Sequence, residues 1–309
     1  MPTPHPRRRA TPAGALVPAV ACALVLAGCG AGGDGVLGGA RPATGTEPVA
    51  AATVSVANGT VATTQLPVYW VGDVDGEQVL FREFRDDDED PGAADPIAAA
   101  AELMTSARPG DPDQRTLWSP VDEVGSSMTP DGTITVDMPS EAFRPGLGRH
   151  EAHLALQQLA HTVTAAATTS GLLSRTSEPR VVVLVDGRAG EVVFGSVRLD
   201  EPLRADERLE APVWILTPRN GARTEGRLVL TGRLLEGVAG ARWTARARDG
   251  GPARTVSTGT VETVPLDDGS AEFRAGLLLP PGEYVLTVEG RDAEGRPVLD
   301  DRTVEVLPR

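Results

Sequence analysis

Helical periodicity stops at about Ala205 and never returns, and this break constrains the fold more than any other feature of the chain. Beyond it come Pro212-Val-Trp-Ile-Leu-Thr217, Arg227 to Leu235, Ala241 to Ala247, Thr260 to Val264, Glu272 to Leu279, Tyr284 to Val288 and Arg302 to Leu307. Turn residues separate these runs: Pro218-Arg-Asn-Gly221, Asp249-Gly-Gly251 and Pro280-Pro-Gly282. Short strands punctuated about every ten residues predict an all-β sandwich. Phe273, Ala275, Leu277 and Leu279 alternate as a strand with one buried face requires.

Upstream, strands and helices mix. Leu66 to Val71 is a strand turned by Gly72-Asp-Val-Asp-Gly76 into a partner at Gln78 to Arg85. Asp95 followed by Pro96 reads as an N-cap and first turn, opening a helix through Leu103 and Met104 that ends in the Pro/Gly/Asp stretch Arg108 to Asp113. Leu117 to Met128 and Thr133 to Met138 are expected strands, joined by Thr129-Pro-Asp-Gly132. Arg149 to Thr169 is the most periodic segment. At 100° per residue Ala152, Leu156, Leu159, Val163 and Ala166 share one stripe. Arg180 to Val185, ending at Asp186-Gly187, and Glu191 to Val197 complete the order β-β-α-β-β-α-β-β. That order predicts an α+β unit, two helices against one small mixed sheet.

At this point the residues carry a resemblance. Val68-Tyr-Trp-Val71 with its charged second strand, Thr133-Ile-Thr-Val-Asp137 with Phe143, Leu156-Gln-Gln-Leu-Ala-His-Thr-Val163 and Val183-Leu-Val-Asp-Gly187 together resemble the GerMN domain over roughly 64–200. That family is named for spore-germination proteins and also occurs in lipoproteins with no spore role. The family's Gly-Pro after the first helix is replaced here by Arg108-Pro-Gly110, so that loop departs from the pattern. The resemblance implies a compact α/β fold akin to the ring-building modules of secretion and sporulation channels, and it brings no catalytic residues. Pro281-Gly-Glu-Tyr284-Val-Leu-Thr-Val288, Asp292-Ala-Glu-Gly295, Ile215-Leu-Thr-Pro218 and Gly232 are similar to the immunoglobulin-like domain of bacterial spore germination, a frequent C-terminal partner of GerMN.

The N-terminus is ordered like an export signal. Arg7, Arg8 and Arg9 form a basic start, an apolar run from Ala10 to Ala27 follows, loosened by Pro12 and Pro18, and small residues lead into Cys29. Leu26-Ala27-Gly28-Cys29 resembles the lipobox of bacterial lipoproteins. The resemblance implies cleavage before Cys29, a diacylglyceryl thioether on its sulfur and acylation of the new amino terminus, such as by palmitate. Lipid of that kind holds a chain firmly to a membrane. The expected location is extracytoplasmic, anchored to the cell membrane; an uncleaved transmembrane anchor is the bland alternative. Gly30 to about Thr63 reads as a tether spanning on the order of 30 Å root-mean-square, with a short strand pair around Asn58-Gly59. The expected layout is a signal peptide at 1–28, lipidated cysteine and tether at 29–63, a GerMN-like domain at 64–203 and an immunoglobulin-like sandwich at 204–309.

Composition narrows the partners. The net charge of −14 becomes −17 once the three signal arginines are removed, which disfavours nucleic acid and holds the chain off anionic headgroups. There is no lysine, and the other cysteine, Cys22, lies in the signal, so the mature chain has no internal disulfide, thiolate metal site or free catalytic thiol.

His150, His153 and His161 are the only histidines after the signal, and on the helix they fall opposite the apolar stripe. They are expected at the surface. His153 and His161 lie about 12 Å apart along the axis, too far for one ion, so no metal site or cofactor is expected. Asp86 to Asp90 is an unbroken acidic run without the spacing of a calcium loop, and it reads as a solvated, self-repelling segment or a face for a basic partner. No nucleophile elbow, phosphate loop or dinucleotide fingerprint is present, so no catalytic residue is expected. Trp70, Trp118, Trp214 and Trp243 are expected in core or inter-domain packing, with glycan stacking as the competing reading.

These features lead to the expectation of a non-enzymatic, membrane-anchored lipoprotein that scaffolds an envelope protein partner or assembles with itself. The competing expectation is a lipoprotein that binds cell-wall glycan or peptidoglycan.

Overall fold

The computed structural model describes residues 65–86, 95–174, 178–248 and 254–308, all within one compact unit spanning 59–309. The expected signal peptide, Leu26 to Cys29, the expected tether with Asn58-Gly59, the acids at 87–90 and the turn expected at Asp249-Gly-Gly251 lie outside the described residues. The chain is mostly β, with two α-helices and several sheets.

The first half opens with strands β1 (Gln65–Val74) and β2 (Glu77–Asp86), an antiparallel hairpin turned at Asp75-Gly76. Helix α1 (Pro96–Ser106) follows. Its N-cap is Asp95, whose carboxylate accepts the N–H groups of Ile97 and Ala98 at 3.1 Å each, a cap worth about 1 kcal/mol. Strands β3 (Gly125–Met128), β4 (Thr133–Met138) and β5 (Arg180–Val185) form a separate three-stranded sheet, β3 antiparallel and β5 parallel to β4. Between β4 and β5 runs helix α2 (Arg149–Thr169).

The single mixed sheet expected for this half is therefore divided, and the reason lies on α2. One edge of β1 pairs with β2. On its other edge the Tyr69 N–H donates to the Thr162 hydroxyl at 3.1 Å, the Tyr69 carbonyl accepts from Gln158 Nε2 at 2.8 Å, and Val71 exchanges two 2.9 Å bonds with Arg115. Helix side chains and a loop thus occupy the backbone groups that a neighbouring strand would need. The strand expected from Leu117 to Met128 is correspondingly short, beginning only at Gly125.

The five residues of the predicted stripe on α2 are all buried, but so are Gln157, Gln158, His161 and Thr162 on other faces. The expectation of a surface His161 is corrected here: it is 3 % exposed. β1 and the segment after Leu203 cover that face, leaving His150 and His153 in solvent.

Glu191 to Val197 was expected as one strand and is a small hairpin, β6 (Val192–Val193) and β7 (Val197–Arg198). Its turn places Phe194 at φ 50° and Gly195 at φ 71°. A phenylalanine in the left-handed region costs about 1–2 kcal/mol. The ring is held there by burial at 5.2 Å from Trp118 and 5.3 Å from Phe143.

The second half has two facing sheets. One contains, in order, β13 (Glu262–Pro265), β14 (Ala271–Leu278), β10 (Arg227–Leu234) and β8 (Val213–Thr217). The other contains β12 (Arg254–Thr260), β11 (Ala239–Ala247), β15 (Gly282–Arg291), β16 (Pro297–Leu307) and β9 (Ala222–Glu225). The alternating residues Phe273, Ala275, Leu277 and Leu279 pack inward against Trp243, Leu286, Val288 and Val304 of the facing sheet. The strand expected from Thr260 to Val264 changes sheets instead. β12 ends at Thr260, Val261 packs against the core, and β13 joins the opposite layer.

Candidate functional site

Two places concentrate side chains that the core does not require: the seam between the halves, and a groove beside the start of α2.

The seam has an apolar centre. Phe81 of β2, Ala211 and Trp214 of β8 are buried together, with Val74, Val79, Leu216 and Leu235 around them. The guanidinium groups of Arg82 and Arg233 lie 6.0 and 5.7 Å from the Trp214 ring, one from each half. Cations over an indole are worth about 0.5–2 kcal/mol when desolvated. Ala211 N–H also donates to the Leu80 carbonyl at 2.8 Å, extending the first half's backbone bonding into the second.

On one side of that centre sits His161. Its Nδ1 is 3.1 Å from Glu210 Oε1, and its Nε2 is 3.1 Å from the Asp206 carbonyl. Both ring nitrogens face oxygen acceptors, so only an imidazole carrying both protons satisfies both contacts. Glu210 also accepts from the Tyr69 hydroxyl at 3.0 Å. Burial pushes the Glu210 carboxyl up; the hydrogen bond and charge of His161, with help from Tyr69 and Arg82, outweigh it and hold the carboxyl below its ordinary value. Burial and the neighbouring Glu210 charge push the Tyr69 phenol up. Gln157 clamps the same connecting segment, donating to the Arg204 carbonyl at 3.0 Å and accepting the Asp206 N–H at 2.9 Å.

On the other side Arg302 of β16 pairs with Asp300 at 2.7 Å and with Asp111 of the first half at 2.9 Å, and donates to the Ile215 carbonyl at 3.1 Å. Burial pushes the Asp300 carboxyl up to about 6, against the pull of Arg302 and of the Ile215 N–H that it accepts at 2.7 Å. Asn220 adds a bridge, donating to the Gly110 carbonyl at 3.1 Å and accepting the Thr303 N–H at 2.7 Å. Asp86, first of the acidic run, accepts from Arg219 at 2.8 Å, and that hydrogen bond is the main cause holding its carboxyl low.

The groove is different in kind. Arg149, His150 and His153 on the first turns of α2 face Ser196, Val197 and Arg198 of the β6–β7 hairpin across an open depression of about 650 Å³. Arg149, His150, His153 and Arg198 are all exposed.

The two sequence-designated histidines His150 and His153 thus share one surface with two arginines, while His161 is taken away into the seam. All four tryptophans are buried: Trp70, Trp118 and Trp214 are fully enclosed, and Trp243 is 9 % exposed. Trp70 Nε1 donates to Glu83 at 2.8 Å and Trp118 Nε1 to the Ala155 carbonyl at 3.1 Å. Cys29, the expected lipidation residue, and the lipobox-like Leu26, Ala27 and Gly28 lie outside the described residues.

Sequence reasoning missed Glu210, Asp300 and Arg302. A signal existed for the last two. Val298, Asp300, Arg302, Val304 and Val306 form one alternating series on β16, and all five are buried, so an opposite-charge pair stands at core-facing positions. For His161 the signal was the absence of any Asp, Glu, Arg or Lys from Ala152 to Thr169, the mark of a helix buried all round.

No curated protein matches the chain. Several solved structures are similar to part of it. CopC from Methylosinus trichosporium OB3b matches 31 % of this chain and 95 % of its own, at 16 % identity and a TM-score of 0.25. Murine CRIg matches 31 % and 98 %, at 14 % identity and 0.22. PcoC, a methionine-rich copper resistance protein from Escherichia coli, matches 31 % and 99 %, at 16 % identity and 0.23. The hairpin β1–β2, both helices and the three-stranded sheet fall within residues 67–191 apart from the first strand's two leading residues, and these residues match the Germane family, described as sporulation and spore germination.

Proposed function

We propose that this chain is a non-enzymatic, extracytoplasmic lipoprotein, tethered through lipid on Cys29, whose two halves act as one scaffold for a protein partner in the cell envelope. On this reading residues 64–203 are a GerMN-like domain and residues 204–309 an immunoglobulin-like sandwich, joined without a free hinge.

The observation that carries the proposal is the seam. Trp214, the His161–Glu210–Tyr69 cluster and the Asp111–Arg302–Asp300 cluster bury polar and apolar groups from both halves at once. Buried charges that depend on partners across a boundary hold the two sides in one arrangement, since separating them leaves each charge unpaired. Rigid presentation of two surfaces suits an assembly module. His161 and Glu210 have the residue types of an acid–base pair. However, both nitrogens of the ring are engaged by oxygens and the ring is enclosed, so no lone pair is offered to a substrate. The glycan-binding alternative places its site on the sandwich or on the tryptophan-bearing strands, and the buried positions of all four indoles give it no stacking platform among them.

The test is detergent phase partition and co-purification from cells. Wild type is expected to enter the detergent phase and to bring a defined envelope protein with it, and Cys29→Ser to lose both. A Cys29→Ser protein that still partitions with lipid would refute the anchor, and wild type recovered only with cell-wall fragments would refute the scaffold.

A further inference from the structure

The surface groove between α2 and the β6–β7 hairpin is basic in a chain that is otherwise strongly acidic. Arg149, His150, His153 and Arg198 line it with Ser196 and Val197, and no carboxylate does. The side chains of Arg149, His150 and His153 make no hydrogen bond or ion pair among the described residues, whereas Arg198 donates to the Gly190 carbonyl at 2.9 Å. Glu151 accepts the Gly148 N–H at 3.3 Å, and Asp200 pairs with Arg198 at 4.0 Å, an exposed and long ion pair that an incoming carboxylate would compete with. The far wall is preformed, because Phe194 buries its ring against Trp118 and Phe143 while its backbone makes the hairpin turn. Val192 on that hairpin is 48 % exposed, adding apolar surface next to the charges.

We infer that this groove docks an extended acidic segment of the partner protein, one that alternates carboxylates with small apolar side chains. The carboxylates would meet Arg149, whose guanidinium fork suits bidentate contact, and the remaining N–H groups of Arg198, which the Gly190 carbonyl holds in place, and the apolar positions would meet Val197 and Val192. Charge complementarity selects the sign of the occupant. A flat anionic bilayer is the poorer fit, since bringing it to the groove would bring it against the chain's net charge of −14, whereas a short peptide meets only the groove. The inference deepens the scaffold reading and rests on it.

The experiment uses the purified full-length protein and fluorescence anisotropy with a labelled alternating Glu–Val decapeptide, its Lys–Val counterpart, and phosphatidylglycerol vesicles. The Glu–Val peptide is expected to bind, to weaken about tenfold as ionic strength rises from about 0.05 to 0.5 M, and to weaken at least about tenfold in Arg149→Glu/Arg198→Glu. His150→Gln/His153→Gln should weaken it less. The urea midpoint of the histidine variant should match wild type, and that of Arg149→Glu/Arg198→Glu should fall only by the loss of the Arg198 contacts to the Gly190 carbonyl and Asp200, leaving the protein folded. Equal binding of both peptides, an unaffected double-glutamate variant, or vesicle binding without peptide binding would overturn the inference, as would self-association of the protein through this face. Crosslinking in cells separates the two readings. A partner retained by Arg149→Glu/Arg198→Glu leaves the scaffold standing and removes the groove, and a partner lost in that variant supports both.

Discussion

Replacing His161 with alanine is the sharpest perturbation of the seam. The imidazole is 2 % exposed and its Glu210 partner 12 %, so solvent does little to screen the pair. Removing one member of a buried ion pair costs about 3–5 kcal/mol, because the other is left charged and dry. The cavity left by the ring adds to that. A loss of about 4 kcal/mol is expected from His161→Ala, and about 2 kcal/mol from Glu210→Gln, which keeps the shape and removes the charge. The two should be non-additive by about 2 kcal/mol in a double-mutant cycle. Equilibrium urea unfolding followed by tryptophan fluorescence reads this well, since Trp70 and Trp118 report the first half, Trp243 the second and Trp214 the seam, all of them buried. Acid adds a signature. The folded Glu210 carboxyl lies below its ordinary value of 4.5, so the stability it contributes is full above that pH and is lost as pH falls below it. Glu210→Gln should remove that portion of the acid loss. A cost below about 1 kcal/mol for His161→Ala, or an additive cycle, would refute the reasoning.

The opposite flank predicts the reverse pH trend. Arg302→Met should cost about 3–5 kcal/mol at neutral pH by leaving Asp111 and Asp300 without their cation. Burial holds Asp300 up at about 6 even with Arg302 beside it, so wild type itself gains stability as pH falls from 6 toward 3.8; without Arg302 the carboxyl is pushed higher still, and the part of the cost due to that charge shrinks as pH falls toward 6 and levels off below it, which urea midpoints from pH 8 to 4 check. Gly232→Ala would place a Cβ 2.1 Å from the Trp214 carbonyl and 2.3 Å from the Phe273 ring, and should destabilise by about 3 kcal/mol or more in the same assay. Phe194→Gly relieves about 1–2 kcal/mol of backbone strain but forfeits about 3 or more of aromatic packing, for a net loss of about 2 kcal/mol by thermal or urea unfolding.

Local signals in the sequence were read well where one residue type determines one geometry. Asp95-Pro96 marked the start of α1, Arg149 to Thr169 bounded α2, and the period-two series at Phe273 marked β14's inner face. What could not be read was what covers a second face. The helix wheel gives α2 one apolar stripe, but Gln157, Gln158, His161 and Thr162 are buried as well, because their polar atoms bond to β1 and to the 204–210 segment. Periodicity counts apolar residues and is silent on polar residues that a distant backbone satisfies. The same contacts cap the free edge of β1 and divide the expected sheet. At Phe194 the turn was hidden by an aromatic residue in a backbone conformation usually left to glycine, and only its packing explains it. The groove was half legible. His150 and His153 were singled out together, but Arg198 lies 45 residues later and joins them only through the fold.

The most direct test of the scaffold is photo-crosslinking in intact cells from a reactive residue placed at Val192 in the first half or at Leu278 in the second, two exposed positions, with and without Cys29→Ser. The account predicts a discrete crosslinked protein from at least one position in the lipid-anchored chain and its loss when Cys29 is replaced. The same crosslinks with and without Cys29, or none from either half, would contradict it.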